Sequence, residues 1–278
     1  MLTFRRRPKS SSAKLRRGFS LPELLCAVAI LTVLAGAMGT LAYGVGGAND
    51  ACRGQTEAAQ HARVVLERIR RNVINCKASE SFPGCMLAST TVGANSYPDR
   101  LLIWKSNGTA ASATELPRRS DLIIYTYNPS RPIELLEITT PDTTQLTGTT
   151  NTELNTVVAA ALSSANSTKT VISDRLGIAT TGAGTSTDLT TLLADPASRG
   201  MLRFRILMAP SATQWAEYKA AATRTWNNVD WPLDQYGANF GNRRVSCQAE
   251  ILMLADDFNI KPPIPFFGSA TKVYQLAK

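Results

Sequence analysis

Apolar and polar positions along this 278-residue chain follow two successive rhythms before they break into short runs. From Leu24 to Asn49 there is no charged residue, and Asp50 ends the run. As a helix rising 1.5 Å per residue these 26 residues reach about 39 Å, enough to cross a ~30 Å hydrocarbon core. Beyond Asp50 the rhythm becomes amphipathic. Ala62, Val65, Leu66, Ile69 and Val73 recur on one helical face, and Arg63, Glu67, Arg68, Arg70, Arg71 and Asn72 fill the others. Glu67 and Arg71 stand four apart in the favoured order, a pair worth a few tenths of a kcal/mol. The pattern predicts one long helix in two halves: a membrane-spanning half over 19–49 and an amphipathic half over 50–76. Pro22 falls in its first turn, where a missing N–H costs little. Gly36, Gly39, Gly44, Gly46 and Gly47 weaken the helix toward the far end of the apolar half.

Residues 77–278 read as a mainly β domain. Arg100–Ser106, Asp121–Asn128, Ile133–Thr139, Arg203–Ala209, Arg244–Leu254 and Thr271–Ala277 are short β-branched or aromatic runs bounded by turn residues. The turn Asn128-Pro129-Ser130-Arg131-Pro132 predicts an antiparallel hairpin between two of them. Between residues 140 and 200 the composition shifts to Ser, Thr, Ala and Gly, which predicts an insertion with a short helix near Thr152–Ala165. The fold class is therefore α+β, a long N-terminal helix packed on a C-terminal antiparallel sheet domain.

Charge changes the picture at the front of the chain. The formal net charge of +9 invites a nucleic-acid reading, but Arg5, Arg6, Arg7, Lys9, Lys14, Arg16 and Arg17 all lie in residues 1–18, with no acid among them. Without those seven, 23 basic residues face 21 acidic ones and +9 becomes +2, so basicity argues for targeting and against nucleic acid. Seven cations before the apolar run leave the leader in the cytoplasm and export the rest. Within the apolar segment one acid, Glu23, stands near the start. A carboxylate inside a membrane costs roughly 2.5–3.5 kcal/mol, so it requires a partner or access to headgroup water. An ordinary secretory signal would have a shorter apolar core with a small-residue site after it, and Ala35–Gly39 imitates such a site.

The stretch Arg16-Arg17-Gly18-Phe19-Ser20-Leu21-Pro22-Glu23-Leu24-Leu25 resembles the class III signal of type IV prepilins and type II secretion pseudopilins. That resemblance implies a leader, 1–18, removed by a prepilin peptidase between Gly18 and Phe19, with N-methylation of the new terminus at Phe19. It implies storage of the subunit in the inner membrane, N-terminus cytoplasmic, and extraction by an assembly platform into a filament with other pilin or pseudopilin subunits. Glu23, fifth in the mature chain, would pair with the N-terminal ammonium of a neighbouring subunit. Its other reading is an acid that reaches headgroup water or its own terminus. The glycines would serve either as a hinge that unwinds in the filament or as ordinary tolerance of a membrane helix. The strings VVLERIRRNV, LLIW, LPRRSDLIIYTYNPSRPIELLEI and NNVDWPL are similar to the J-type minor pseudopilin and PilW-like minor pilins, in which an Arg-Ser pair (here Arg119-Ser120) opens a strand. A 260-residue mature chain is large for a major pilin and favours a minor subunit. The alternatives are a tip adhesin or DNA-uptake minor pilin, and a signal-anchored envelope enzyme.

Side-chain chemistry adds few candidates. Of the five cysteines, Cys26 lies in the apolar run. The other four, Cys52, Cys76, Cys85 and Cys247, would meet an oxidising compartment, and four cysteines allow three pairings. On one helix Cys52 and Cys76 stand about 36 Å apart, and the nine residues from Cys76 to Cys85 reach only about 30 Å. The disulfide candidate is therefore Cys76–Cys85 across Lys77–Gly84, with Cys52 and Cys247 either free or joined. No CxxC occurs and His61 is the sole histidine, so no metal, cofactor or catalytic residue is assigned. Asp256-Asp257 supplies too few oxygens for calcium by itself. Trp215, Trp226, Trp231, Tyr218 and Tyr236 form either a stacking surface or a packed core.

Overall fold

Helix α1 runs without interruption from Leu21 to Ile74 in the computed structural model, and its five glycines between Gly36 and Gly47 stay helical. The structure describes residues 19–277 except 93–94, 109–111, 113, 181–188, 196, 230–239 and 256–262. Its contacts divide the chain into two units that meet between Asp50 and Ala51, and each is described by itself. In the first unit every described residue is exposed. Among the described residues this is the one helix long and apolar enough to cross a bilayer.

In the second unit α1 continues as an amphipathic helix. Gly54, Ala58, Ala62, Val65, Ile69 and Val73 are buried, a stripe at steps of four and three that matches the 3.6-residue turn. Gly54 is needed for space, because a Cβ there would collide with the backbone carbonyl of Ala255. Glu67 pairs with Arg70 at 3.2 Å and not with the expected Arg71. Residues three and four apart are both neighbours on a helix, so sequence spacing leaves that choice open.

The stripe packs on a five-stranded antiparallel meander, β1 (Cys85–Val92), β2 (Asn95–Trp104), β3 (Leu122–Asn128), β4 (Arg131–Thr139) and β5 (Thr168–Ser173), in that spatial order. Between β4 and β5 lies helix α2 (Asn151–Ser163), started by the Thr150 hydroxyl accepting from the Glu153 N–H. Leu154, Val157, Val158 and Ala161 of α2 cover the face of the meander opposite α1, against Leu102, Trp104, Ile124, Leu136 and Ile138. Both faces of β3 are therefore buried, which is why LIIYTY reads as a continuous apolar run and not an alternation. The Ser/Thr-rich 140–200 segment thus supplies one covering helix and the last strand of the main sheet, and also β6 (Ile178–Thr180), α3 (Leu189–Ala194) and β7 (Ser198–Gly200).

A second antiparallel sheet follows, ordered β10-β9-β8, from β8 (Leu202–Ala209), β9 (Phe240–Met253) and β10 (Ile264–Ala277). Alternate residues of β9, from Val245 through Cys247, Ala249 and Ile251 to Met253, turn into the core beneath α1. Strand β8 lies against β1 and β2. Helix α4 (Ala212–Ala220) begins with a Ser211–Gln214 capping box and contributes Trp215 and Tyr218 to a small satellite core. The architecture is the expected long helix with an antiparallel α+β domain.

Candidate functional site

The candidate site is the start of α1. Phe19 is 80% exposed, and Gly18 with the rest of the leader lies outside the described residues. Ser20 precedes the helix and acts as its cap. The Ser20 N–H donates to Glu23 Oε2 at 3.2 Å, and the Ser20 hydroxyl donates to the same oxygen at 3.1 Å. The carboxylate thus reaches back over the first turn, where orphan N–H groups and the helix dipole favour negative charge. Pro22 lacks a donor and sits where none is needed.

Beyond Glu23 the segment presents side chains suited to lipid or to other apolar helices. Leu21, Leu24, Leu25, Val28, Ile30, Leu31, Val33, Leu34 and Met38 are all exposed. The hydroxyls of Thr32 and Thr40 donate to the carbonyls of Ala29 and Ala37, at 2.8 and 2.9 Å, so neither needs water. Chemically the segment offers an apolar surface with one carboxylate near its end.

Within the second unit α1 is tied to the meander by a polar network. Arg68 Nε and Nη2 donate to the two oxygens of Glu137 at 2.6 and 2.7 Å, a bidentate fork. The Tyr125 hydroxyl donates to Glu137 Oε2 at 2.6 Å, and Asn72 Nδ2 donates to the Tyr125 oxygen at 2.6 Å. Burial raises the Glu137 pKa, but the hydrogen bonds from Arg68 and Tyr125 outweigh it and hold the carboxyl below its ordinary value. Tyr125 is pushed far above the usual phenol range by burial and by the adjacent carboxylate. None of these partners was legible as a pair, because they are 69 and 53 residues apart in the chain.

Other candidates resolve differently. His61 Nδ1 lies 3.5 Å from Ser173 Oγ and 4.0 Å from Asp174 Oδ1. Both neighbours face the same ring nitrogen, whereas a nucleophilic relay needs the base between its orienter and its nucleophile. Trp215, Tyr218 and Trp226 are buried against one another, with ring centroids 5.3 to 6.1 Å apart, and form a packed core. Trp231, Tyr236, Asp256 and Asp257 lie outside the described residues. Among the described residues no group of three His, Cys, Asp or Glu is arranged to hold a metal.

A polar cleft of about 1000 Å³ was not anticipated, lined in part by Tyr97, Asp99, Arg199, Arg203 and Glu250. Asp99 is buried, accepts from the Thr90 hydroxyl at 2.9 Å, and lies 3.8 and 3.9 Å from Arg100 Nε and Arg199 Nη1. Burial raises the Asp99 pKa.

All five cysteines carry free thiols. Cys52 is exposed, whereas Cys76, Cys85 and Cys247 are buried in one core cluster. The loop between Cys76 and Cys85 turns on Gly84 at φ +88°, where a side chain would also strike the Cys76 sulfur.

A family model described as the prokaryotic N-terminal methylation motif matches residues 13–39. The chain thus carries the N-terminal signal of the type IV pilin and pseudopilin family, and the match ends within the apolar half of α1. No curated protein and no solved structure is matched by this chain.

Proposed function

We propose that this protein is a minor pilin-like subunit of a type II secretion pseudopilus or type IV pilus. The observation that carries this reading is the methylation motif running directly into a helix whose apolar side chains are all exposed. A prepilin peptidase cuts between Gly18 and Phe19, and Phe19 becomes the methylated terminus. Residues 19–49 hold the subunit in the inner membrane with its leader cytoplasmic, and the domain from residue 77 onward lies outside the cytoplasm. An assembly platform then transfers the apolar segment from lipid to the apolar helices of other subunits.

Glu23 sets the register of that transfer. In the isolated chain its carboxylate is held by Ser20. In a filament the ammonium of a neighbouring Phe19 offers a stronger, charge-assisted donor, and each group offsets the other's desolvation only when the subunits are correctly staggered. The role is structural, and the J-type or PilW-like subclass accounts for the chain's size. The adhesin and DNA-uptake alternative relied on an exposed aromatic surface, and Trp215, Tyr218 and Trp226 are buried.

Intact mass and N-terminal analysis of membrane-derived protein test the reading. A chain that begins at methylated Phe19 supports it, and one that retains Met1 overturns it.

A further inference from the structure

The core beneath α1 contains three thiols brought from distant parts of the chain. Cys76 follows the last turn of α1, Cys85 opens the edge strand β1, and Cys247 sits mid-strand in β9. All three are almost fully buried, at 3%, 0% and 2% exposure. Pairing fixes where they point. Cys85 lies opposite Ile103, and Cys247 lies between Ile206 and Ala270; all three cysteines belong to the core cluster that the α1 stripe covers. The two strands belong to different sheets, which adjoin where β8 meets β1 and β2. The Cys85 thiol has the Cys247 side chain as its hydrogen-bonding neighbour, whereas Cys76 stands near both without that contact.

We propose that Cys85 and Cys247 form one disulfide that staples the meander to the second sheet, with Cys76 kept as a thiol. The bond would form in the oxidising compartment that the export reading supplies, so in the cell it rests on that reading. It is made during folding, before the core closes. The Cys85 thiolate attacks a disulfide oxidant, such as oxidised glutathione or a disulfide-bearing oxidoreductase, and releases one thiol. The Cys247 thiolate then attacks the Cys85 sulfur and releases the second. Two S–H bonds are lost and one S–S bond forms; the two protons and two electrons leave with the oxidant as two thiols.

Competition from Cys76 is disfavoured on two grounds. The segment between Cys76 and Cys85 is already held by backbone bonds, Lys77 N–H to the Trp104 carbonyl at 2.9 Å and Trp104 N–H to the Gly84 carbonyl at 2.9 Å. Burial pushes the Cys76 thiol up to about 11, so in the folded chain it remains protonated and a poor attacking group. The two bonds also differ in consequence. Cys76–Cys85 closes a short loop that is ordered without it, while Cys85–Cys247 closes a loop of roughly 160 residues and so constrains the unfolded chain far more.

The test uses the full-length chain, reduced and unfolded, then refolded in detergent with reduced and oxidised glutathione. Free thiols are alkylated under denaturing conditions and peptides are mapped by mass spectrometry. The expected result is a linked pair that contains Cys85 and Cys247, with Cys26, Cys52 and Cys76 alkylated. Cys76→Ser should keep that link and its reductant-sensitive thermal midpoint, and Cys247→Ser should lose both. A Cys76–Cys85 linked peptide, or five alkylated cysteines in the refolded chain, would overturn the proposal. Because oxidant is added in the tube, the outcome does not depend on export, which the N-terminal mass reads separately.

Discussion

The two halves of α1 share a backbone and differ in almost everything else. Up to Asn49 the helix exposes its apolar side chains, and its one acid is satisfied within the first turn. From Ala51 onward a narrow apolar stripe is buried, and a charged fork from Arg68 reaches across to the meander. The first half has no folded core to lose; its energetics belong to whatever surrounds it, lipid or other helices. The second half is stabilised by its own domain. A helix can thus serve assembly at one end and folding at the other without a break in hydrogen bonding, because backbone geometry is indifferent to what the side chains meet.

Substitutions that separate these roles test the contrast. The largest effect is expected from Glu23→Val. Cleavage and membrane retention should persist, while incorporation into sheared filaments falls roughly tenfold or more, since a membrane-buried charge without its partner costs about 2.5–3.5 kcal/mol. Normal incorporation would remove the register role. Next comes a matched pair of truncations. Ile69→Ala should destabilise the second unit by about 2–5 kcal/mol in urea unfolding, and Ile30→Ala should leave it unchanged. Tryptophan fluorescence is the suitable readout, because Trp104, Trp215, Trp226 and Trp231 all follow Asp50. Equal effects at the two positions would break the comparison.

Glu137→Gln should cost about 1.5–3 kcal/mol, the worth of hydrogen bonds to a charged group. It also carries a pH signature. The folded pKa of Glu137 lies below its ordinary value of 4.5, so the folded state binds the proton less readily than the unfolded chain. Its contribution is full above about pH 4.5 and is lost as pH falls through the folded value. Urea midpoints measured from pH 7 down to pH 3 should fall less steeply in Glu137→Gln than in the parent, and parallel curves would dismiss the linkage. The smallest effect belongs to Glu67→Ala. Its pair with Arg70 is exposed on both sides, and a change beyond a few tenths of a kcal/mol would mean that this face has a partner.

Features written in near neighbours were readable in advance. The long helix, the hairpin at Pro129-Ser130, α2 and six strands follow from periodicity and turn residues, which act over a few positions. Strand β1 was missed because CMLASTTV has little apolar weight, and it becomes a strand only by pairing with β2. Strand β5 was hidden in the same way: TKTVIS is mostly exposed and forms the edge of the meander beside β4. The 140–200 segment reads as low in large apolar residues, yet four of its side chains suffice for α2 to cover one face of the main sheet.

The apolar run, the single acid at Glu23, the basic leader and the methylation motif are local chemistry, so the linear order of residues was enough to define the membrane segment and the signal at its front. Tertiary structure alone decided which charge Arg68 meets, that His61 shares one nitrogen between two neighbours, and that Cys85 lies beside Cys247 as well as near Cys76. Those contacts join residues tens to well over a hundred positions apart. Burial and sheet register create them, and neither leaves a spacing that can be read along the chain.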